Sequence, residues 1–124
     1  MSTRLRLVAL ALVALILTSA CTVEEVTFFL DSTEHVADAL THEELGRLRH
    51  CESTDNYQAI SRSGTYRGAY QFDQTTWDGV AERHFPWLMG IDPINAAPWW
   101  QDSMARALWS ERGSQPWPIC GRAV

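Results

Sequence analysis

Leu7 to Leu17 is an unbroken run of Leu, Val, Ala and Ile. Arg4 and Arg6 precede it, and the small residues Thr18, Ser19 and Ala20 follow. A positive start, an apolar centre and a small-residue end are the order of a secretory signal peptide, here residues 1–20. The run falls short of the ~20 apolar residues that span a bilayer. This feature constrains the fold more than any other. Of 124 residues, only those from 21 onward remain to fold, and they do so in an oxidising compartment where disulfides persist. One small domain fits that length. A domain so small has much surface for its core, and a covalent staple helps it.

The chain holds three cysteines, at 21, 51 and 120. Cys21 directly follows Ala20, a placement that resembles the acylated cysteine of a bacterial lipoprotein, although Thr18 stands where such signals usually carry Leu. Either Cys21 carries a lipid anchor or cleavage after Ala20 releases a secreted protein. An odd number of cysteines in an exported chain favours lipidation, since it leaves Cys51 and Cys120 to pair. A bridge over so long a loop stabilises by about 4 kcal/mol in the chain-entropy model.

Charge excludes one class of partner. The formal net charge is -5, from 10 basic and 15 acidic residues. Removing Arg4 and Arg6 with the signal leaves 8 Arg against 15 acids, or -7. Every basic residue is Arg, and no basic stripe is present to neutralise phosphates, so no nucleic-acid partner is expected. Residues 21–40 are acidic and unevenly patterned, and read as a tether in which 32–40 can form a short helix. The domain proper is expected at 41–124. Thr41-His42-Glu43-Glu44 has capping-box spacing, and Leu45 and Leu48 follow at helical intervals. This predicts a helix from about Thr41 to Ser53. The segment 66–72 fits a short strand or a tight aromatic loop. Asp73 can cap a helix through Trp77 and Val80. A further helix starts near Pro98 and stops at Gly113. The expected class is α+β, mainly helical with a short β element and one disulfide.

Several catalytic patterns are missing. There is no Gly-rich phosphate loop and no nucleophile elbow. His42-Glu43 begins a zinc-protease pattern, but Gly46 occupies the second ligand position, so no metal or cofactor is expected. Carboxylates remain, with six Trp. Aromatic faces stack on sugars, and Asp or Glu supply the proton chemistry of glycoside cleavage. Trp77 and Trp109 read first as core residues of a small domain.

The ordered segments Leu48-Arg49-His50-Cys51-Glu52-Ser53, Asn56-Tyr57, Tyr66-Arg67-Gly68-Ala69-Tyr70-Gln71-Phe72, Thr76-Trp77 and Trp117-Pro118-Ile119-Cys120-Gly121 resemble the resuscitation-promoting factor domain. That is the transglycosylase-like family of actinobacterial cell-wall enzymes, and the similarity runs from about Leu45 to Gly121. The resemblance implies a small lysozyme-like fold that cleaves the β-1,4 bond between N-acetylmuramic acid and N-acetylglucosamine in peptidoglycan. It places the catalytic glutamate directly after the first bridged cysteine, at Glu52. It places Tyr66, Gln71, Thr76 and Gln101 as substrate-binding residues. Asp73 is either a second catalytic carboxylate or simply a helix cap, and Gly68 serves the backbone.

Two departures stand out. The family commonly has Gly-Gly where this chain has Thr54-Asp55, which predicts a reshaped turn and an acid near Glu52 that would raise its pKa. Trp99-Trp100 stands where polar residues are more usual, either extending a sugar-stacking wall or seating the domain on another surface. The expected protein is an exported monomer, secreted or membrane-anchored through Cys21, with peptidoglycan glycan strands as its partner. It is either a lytic transglycosylase or a muramidase. The rival is a non-catalytic wall-binding or signalling module on the same fold.

Overall fold

The computed structural model describes residues 22–124. The expected signal peptide and Cys21 lie outside the described residues. Helix α1 (Val23–Thr33) buries none of its residues. It starts on a reciprocal cap, in which Thr22 N–H donates to the Glu25 carboxylate at 2.9 Å and Glu25 N–H donates to the Thr22 hydroxyl at 3.2 Å. Helix in this region therefore lies mostly ahead of the 32–40 stretch where it was expected, and only a 3-10 turn, Glu34–Val36, follows.

The compact unit runs from Ser32 to Val124. It begins ahead of Thr41 because Val36 and Leu40 are core residues, 2% and 1% exposed. Arg106 holds this entry segment by donating to the Leu40 carbonyl at 2.9 Å. Helix α2 (His42–Ser53) begins where the sequence places it. The Thr41 side chain accepts from Glu44 N–H, and the Glu44 carboxylate accepts from Thr41 N–H. Helix α3 (Gln74–His84) is capped by Asp73. Helix α4 (Pro98–Arg112) opens on its proline and ends at Gly113, whose φ of 56° is the conformation glycine tolerates best.

Each helix turns one apolar stripe inward. Leu45 and Leu48 of α2, Trp77 and Val80 of α3, and Met104 and Leu108 of α4 meet in a single core with Tyr70, Phe72 and Trp117. Phe72 meets Trp77 and Trp117 edge-on at 5.3 and 6.2 Å. The Trp77 indole N–H reaches the Leu88 carbonyl at 3.0 Å, so its polar tip is not stranded. The segment between α2 and α3 is a tight loop rather than a strand. It carries only two isolated bridges, Ile60 with Arg67 and Arg67 with Phe72. The result is a mainly helical domain with a minimal β element and a Cys51–Cys120 disulfide, as expected. The bridge clamps the end of α2 to the C-terminal turn Cys120–Ala123.

Candidate active site

Glu52 occupies the last turn of α2, one residue from the disulfide. Its side chain is half-buried. Among the described residues nothing donates a hydrogen bond to its carboxyl. Burial alone pushes the carboxyl above its ordinary value, because the charged form loses water without gaining a partner. Asp55 plays no part in that shift. It pairs with Arg49 at 2.9 Å and with His50 at 2.9 Å, and these hydrogen bonds, His50 first, hold its own carboxyl below the usual range. The negative charge expected beside Glu52 is thus paired with Arg49 and hydrogen-bonded to His50, both on α2.

The turn after Glu52 is also informative. Thr54 and Asp55 stand where the resembled family has two glycines, and both have positive φ, 56° and 63°. The backbone here takes the left-handed path that glycine makes cheap. Thr54 N–H closes the helix on the His50 carbonyl at 2.9 Å, and the Asp55 ion pairs fasten the next residue.

Arg49 joins this turn to α4. The Asp102 Oδ1 accepts from the Tyr57 hydroxyl at 2.8 Å, the Tyr70 hydroxyl at 2.6 Å and Arg49 at 3.5 Å. Burial, then the bond to Asp102, pushes the Tyr57 hydroxyl up to about 12. Tyr70 moves further in the same direction, chiefly through burial. Burial works against the Arg49 charge, but hydrogen bonds to Asp55 and Tyr70 outweigh it and raise its pKa. Both tyrosines therefore stay neutral donors. Sequence reasoning did not identify this network. Its sequence signal was Asp102, one of two acids on α4.

A cleft of about 380 Å³ gathers Tyr66, Gln71, Asp73 and Thr76 with Arg112, Gln115, Trp117 and Pro118. Four residues named from the resemblance thus share one concavity. Tyr66 is 49% exposed, with its ring available to a ligand. Gln71 has a φ of 54° and donates its amide to the Gly68 carbonyl at 2.9 Å. Asp73 is engaged by its own helix, accepting from Thr76 N–H at 2.9 Å and from the Thr76 hydroxyl at 2.8 Å. Glu52 is not part of this lining. Its chain neighbour Cys51 is bridged to Cys120, which closes the segment bearing Trp117 and Pro118.

Gln101 is placed differently from the expectation that it binds substrate. It is 1% exposed and fully occupied internally. Its Oε1 accepts from Ala69 N–H at 2.9 Å, and its Nε2 donates to the Tyr57 and Ala96 carbonyls, both at 3.1 Å. Such an amide holds the aromatic loop to α4 and has no group left for a sugar. It also explains Gly68: a Cβ there would stand 2.6 Å from Gln101 Oε1, on a backbone of φ +83°. Trp99 is 52% exposed, while Trp100 packs on Phe85 and Trp87 at 5.6 and 5.4 Å. Neither lines the cleft. Trp77 is core, and Trp109 stacks on Trp117 at 6.0 Å.

Residues 39–120 match the model of the transglycosylase-like domain. The chain belongs to this family. Its domain is 33% identical over 76 residues to a probable transglycosylase SceD of Staphylococcus aureus strain bovine RF122 / ET3-1, covering 61% of this chain and 32% of that protein. A probable transglycosylase SceD of strain Newman is 34% identical over 73 residues, covering 59% of this chain and 30% of the relative. The chain thus spans about a third of the length of these curated relatives. No solved structure matches.

Proposed function

We propose that this domain cleaves peptidoglycan glycan strands at the β-1,4 bond between N-acetylmuramic acid and N-acetylglucosamine, with Glu52 as general acid. The observation that carries the reading is the state of its carboxyl: half-buried, without a hydrogen-bond donor among the described residues, and raised in pKa by desolvation. A leaving glycosidic oxygen needs a proton from a neutral acid, and desolvation keeps a carboxylic acid neutral nearer physiological pH. The other two acids weighed for catalysis are engaged. Asp73 caps α3, and Asp55 is paired with Arg49 and His50.

Engagement of Asp55 and Asp73, the two other acids weighed, favours the lytic route over hydrolysis. Glu52 gives its proton to the bridging oxygen, the C1–O bond breaks, and the muramoyl ring gains oxocarbenium character. The ring's own C6 hydroxyl then bonds C1 and returns its proton to the Glu52 carboxylate, leaving a 1,6-anhydro end. Atoms balance without water, metal or cofactor. The cleft residues Tyr66, Gln71 and Thr76 would hold the sugars. The motif set around Cys51, residues 66–72 and Cys120 points, within the family, to the resuscitation-promoting factor branch. Residues 1–20 would direct export, and the mature monomer would be either secreted or anchored to the membrane by a lipid on Cys21, placing the cleft at the cell envelope.

The test is Glu52→Gln, which keeps size and removes the transferable proton. Turbidity loss of wall suspensions should slow about 100-fold or more, and mass spectrometry of the wild-type products should find anhydromuramoyl ends. Wild-type-like cleavage by folded Glu52→Gln protein would remove Glu52 from the mechanism. Reducing-end products would make the enzyme a muramidase. A wild type that binds walls but cuts none would establish the binding-module alternative.

A further inference from the structure

We infer that Arg112 is a specificity-determining residue of the cleft, recognising a carboxylate carried by the muramoyl units of the strand. The inference rests on the strand-binding reading given above. The protein is acidic, and most of its described arginines are already committed. Arg47, Arg49, Arg67 and Arg83 pair with Glu43, Asp55, Asp92 and Glu111, and Arg106 donates to the Leu40 carbonyl. Arg112 lines the cleft, and no carboxylate pairs with it among the described residues. Its Nε reaches only the neutral Gln115 amide oxygen, at 3.4 Å.

The acids nearest in sequence and in the cleft form no ion pair with it. Glu111, its neighbour, is held by Arg83 and His84, each at 2.7 Å. Asp73, across the same cleft, has both oxygens occupied by Thr76. The cleft therefore offers an anion a planar, multidentate donor with N–H groups that no carboxylate occupies, the geometry that suits a carboxylate. A charge serving only the C-terminus of α4 would also sit here, but it would carry no ligand preference.

Muramoyl strands present carboxylates from two sources. Denuded strands expose the lactyl carboxylate, whereas peptide-bearing strands amidate it and carry their acids on the stem peptide. Chito-oligosaccharides share the backbone and carry neither, so they serve as the neutral control. Binding is measured by stopped-flow tryptophan fluorescence on mixing, before turnover, for the wild type, Arg112→Gln and Arg112→Lys. Arg112→Gln should weaken binding of denuded or peptide-bearing strands about 10-fold, leave chito-oligosaccharide binding unchanged, and abolish most of the salt dependence. Arg112→Lys should recover part of the loss, and the acidic ligand that suffers more identifies the source. Equal loss on neutral and acidic ligands, no loss on either acidic ligand, or no glycan binding by the wild type would overturn the inference. An inactive wild type that keeps this selectivity would overturn the cleavage reading alone.

Discussion

Gln101 is the residue whose role changes most between sequence and structure, and its substitution gives a decisive measurement. Gln101→Leu removes three hydrogen bonds at once, from Ala69 N–H and to the Tyr57 and Ala96 carbonyls. Ala69 is 0% exposed, so its N–H is left buried and unsatisfied. That alone costs about 1–3 kcal/mol, and each orphaned carbonyl adds about 1 kcal/mol. The sum is about 3–5 kcal/mol, which lowers the melting temperature of a domain this size on the order of 20 °C. Gln101→Glu sharpens the test. It keeps the acceptor for Ala69 but turns the donor into an oxygen facing two carbonyl oxygens. Its carboxyl pKa is therefore raised in the folded state. The variant is nearest wild type below the ordinary carboxylate value and loses stability as pH rises through the folded value. Thermal melts and urea unfolding of both variants between about pH 4 and pH 8 measure this. Native stability of Gln101→Leu with weakened sugar binding would refute the structural role and return Gln101 to the substrate.

Cys51→Ala/Cys120→Ala opens a loop with a sequence separation of 69, which should cost about 4 kcal/mol in the chain-entropy model; urea unfolding showing a loss below about 1 kcal/mol would contradict it. Thr54→Gly relieves a β-branched residue at φ 56° and should raise stability by about 1 kcal/mol, read as a higher urea midpoint at unchanged slope. Glu52→Gln should melt higher than the wild type at neutral pH. The raised Glu52 pKa means that the native state is favoured below the ordinary carboxylate value and loses that advantage as pH rises through the folded value. The melting difference should therefore widen with rising pH and close below about pH 4, and a constant difference would mean that burial does not perturb this carboxyl.

Signals acting over three or four residues were legible in the chain. The Thr41–Glu44 box, the Asp73 cap, Pro98 and Gly113 each set a helix end through contacts within a single turn. The disulfide could be read from cysteine arithmetic once export was assumed. What failed was local too. Helix was expected within 32–40, but the helix proper ends at Thr33, and beyond it Val36 and Leu40 are drawn into a core whose other walls lie far along the chain.

The sequence by itself determined where α2, α3 and α4 begin, which cysteines pair and which glutamate adjoins the bridge, because propensity, capping and covalent pairing depend on residue type and short spacing. Only the tertiary structure decided the states of the polar groups. Asp102 meets tyrosines 45 and 32 residues away, and Gln101 meets a backbone N–H 32 residues away. Spacing along the chain does not encode such partners. They follow from how α2, α4 and the aromatic loop pack. That packing leaves the Glu52 carboxyl half-buried with no donor among the described residues, and a carboxylate's charge depends on its water and its partners rather than on its name in the sequence.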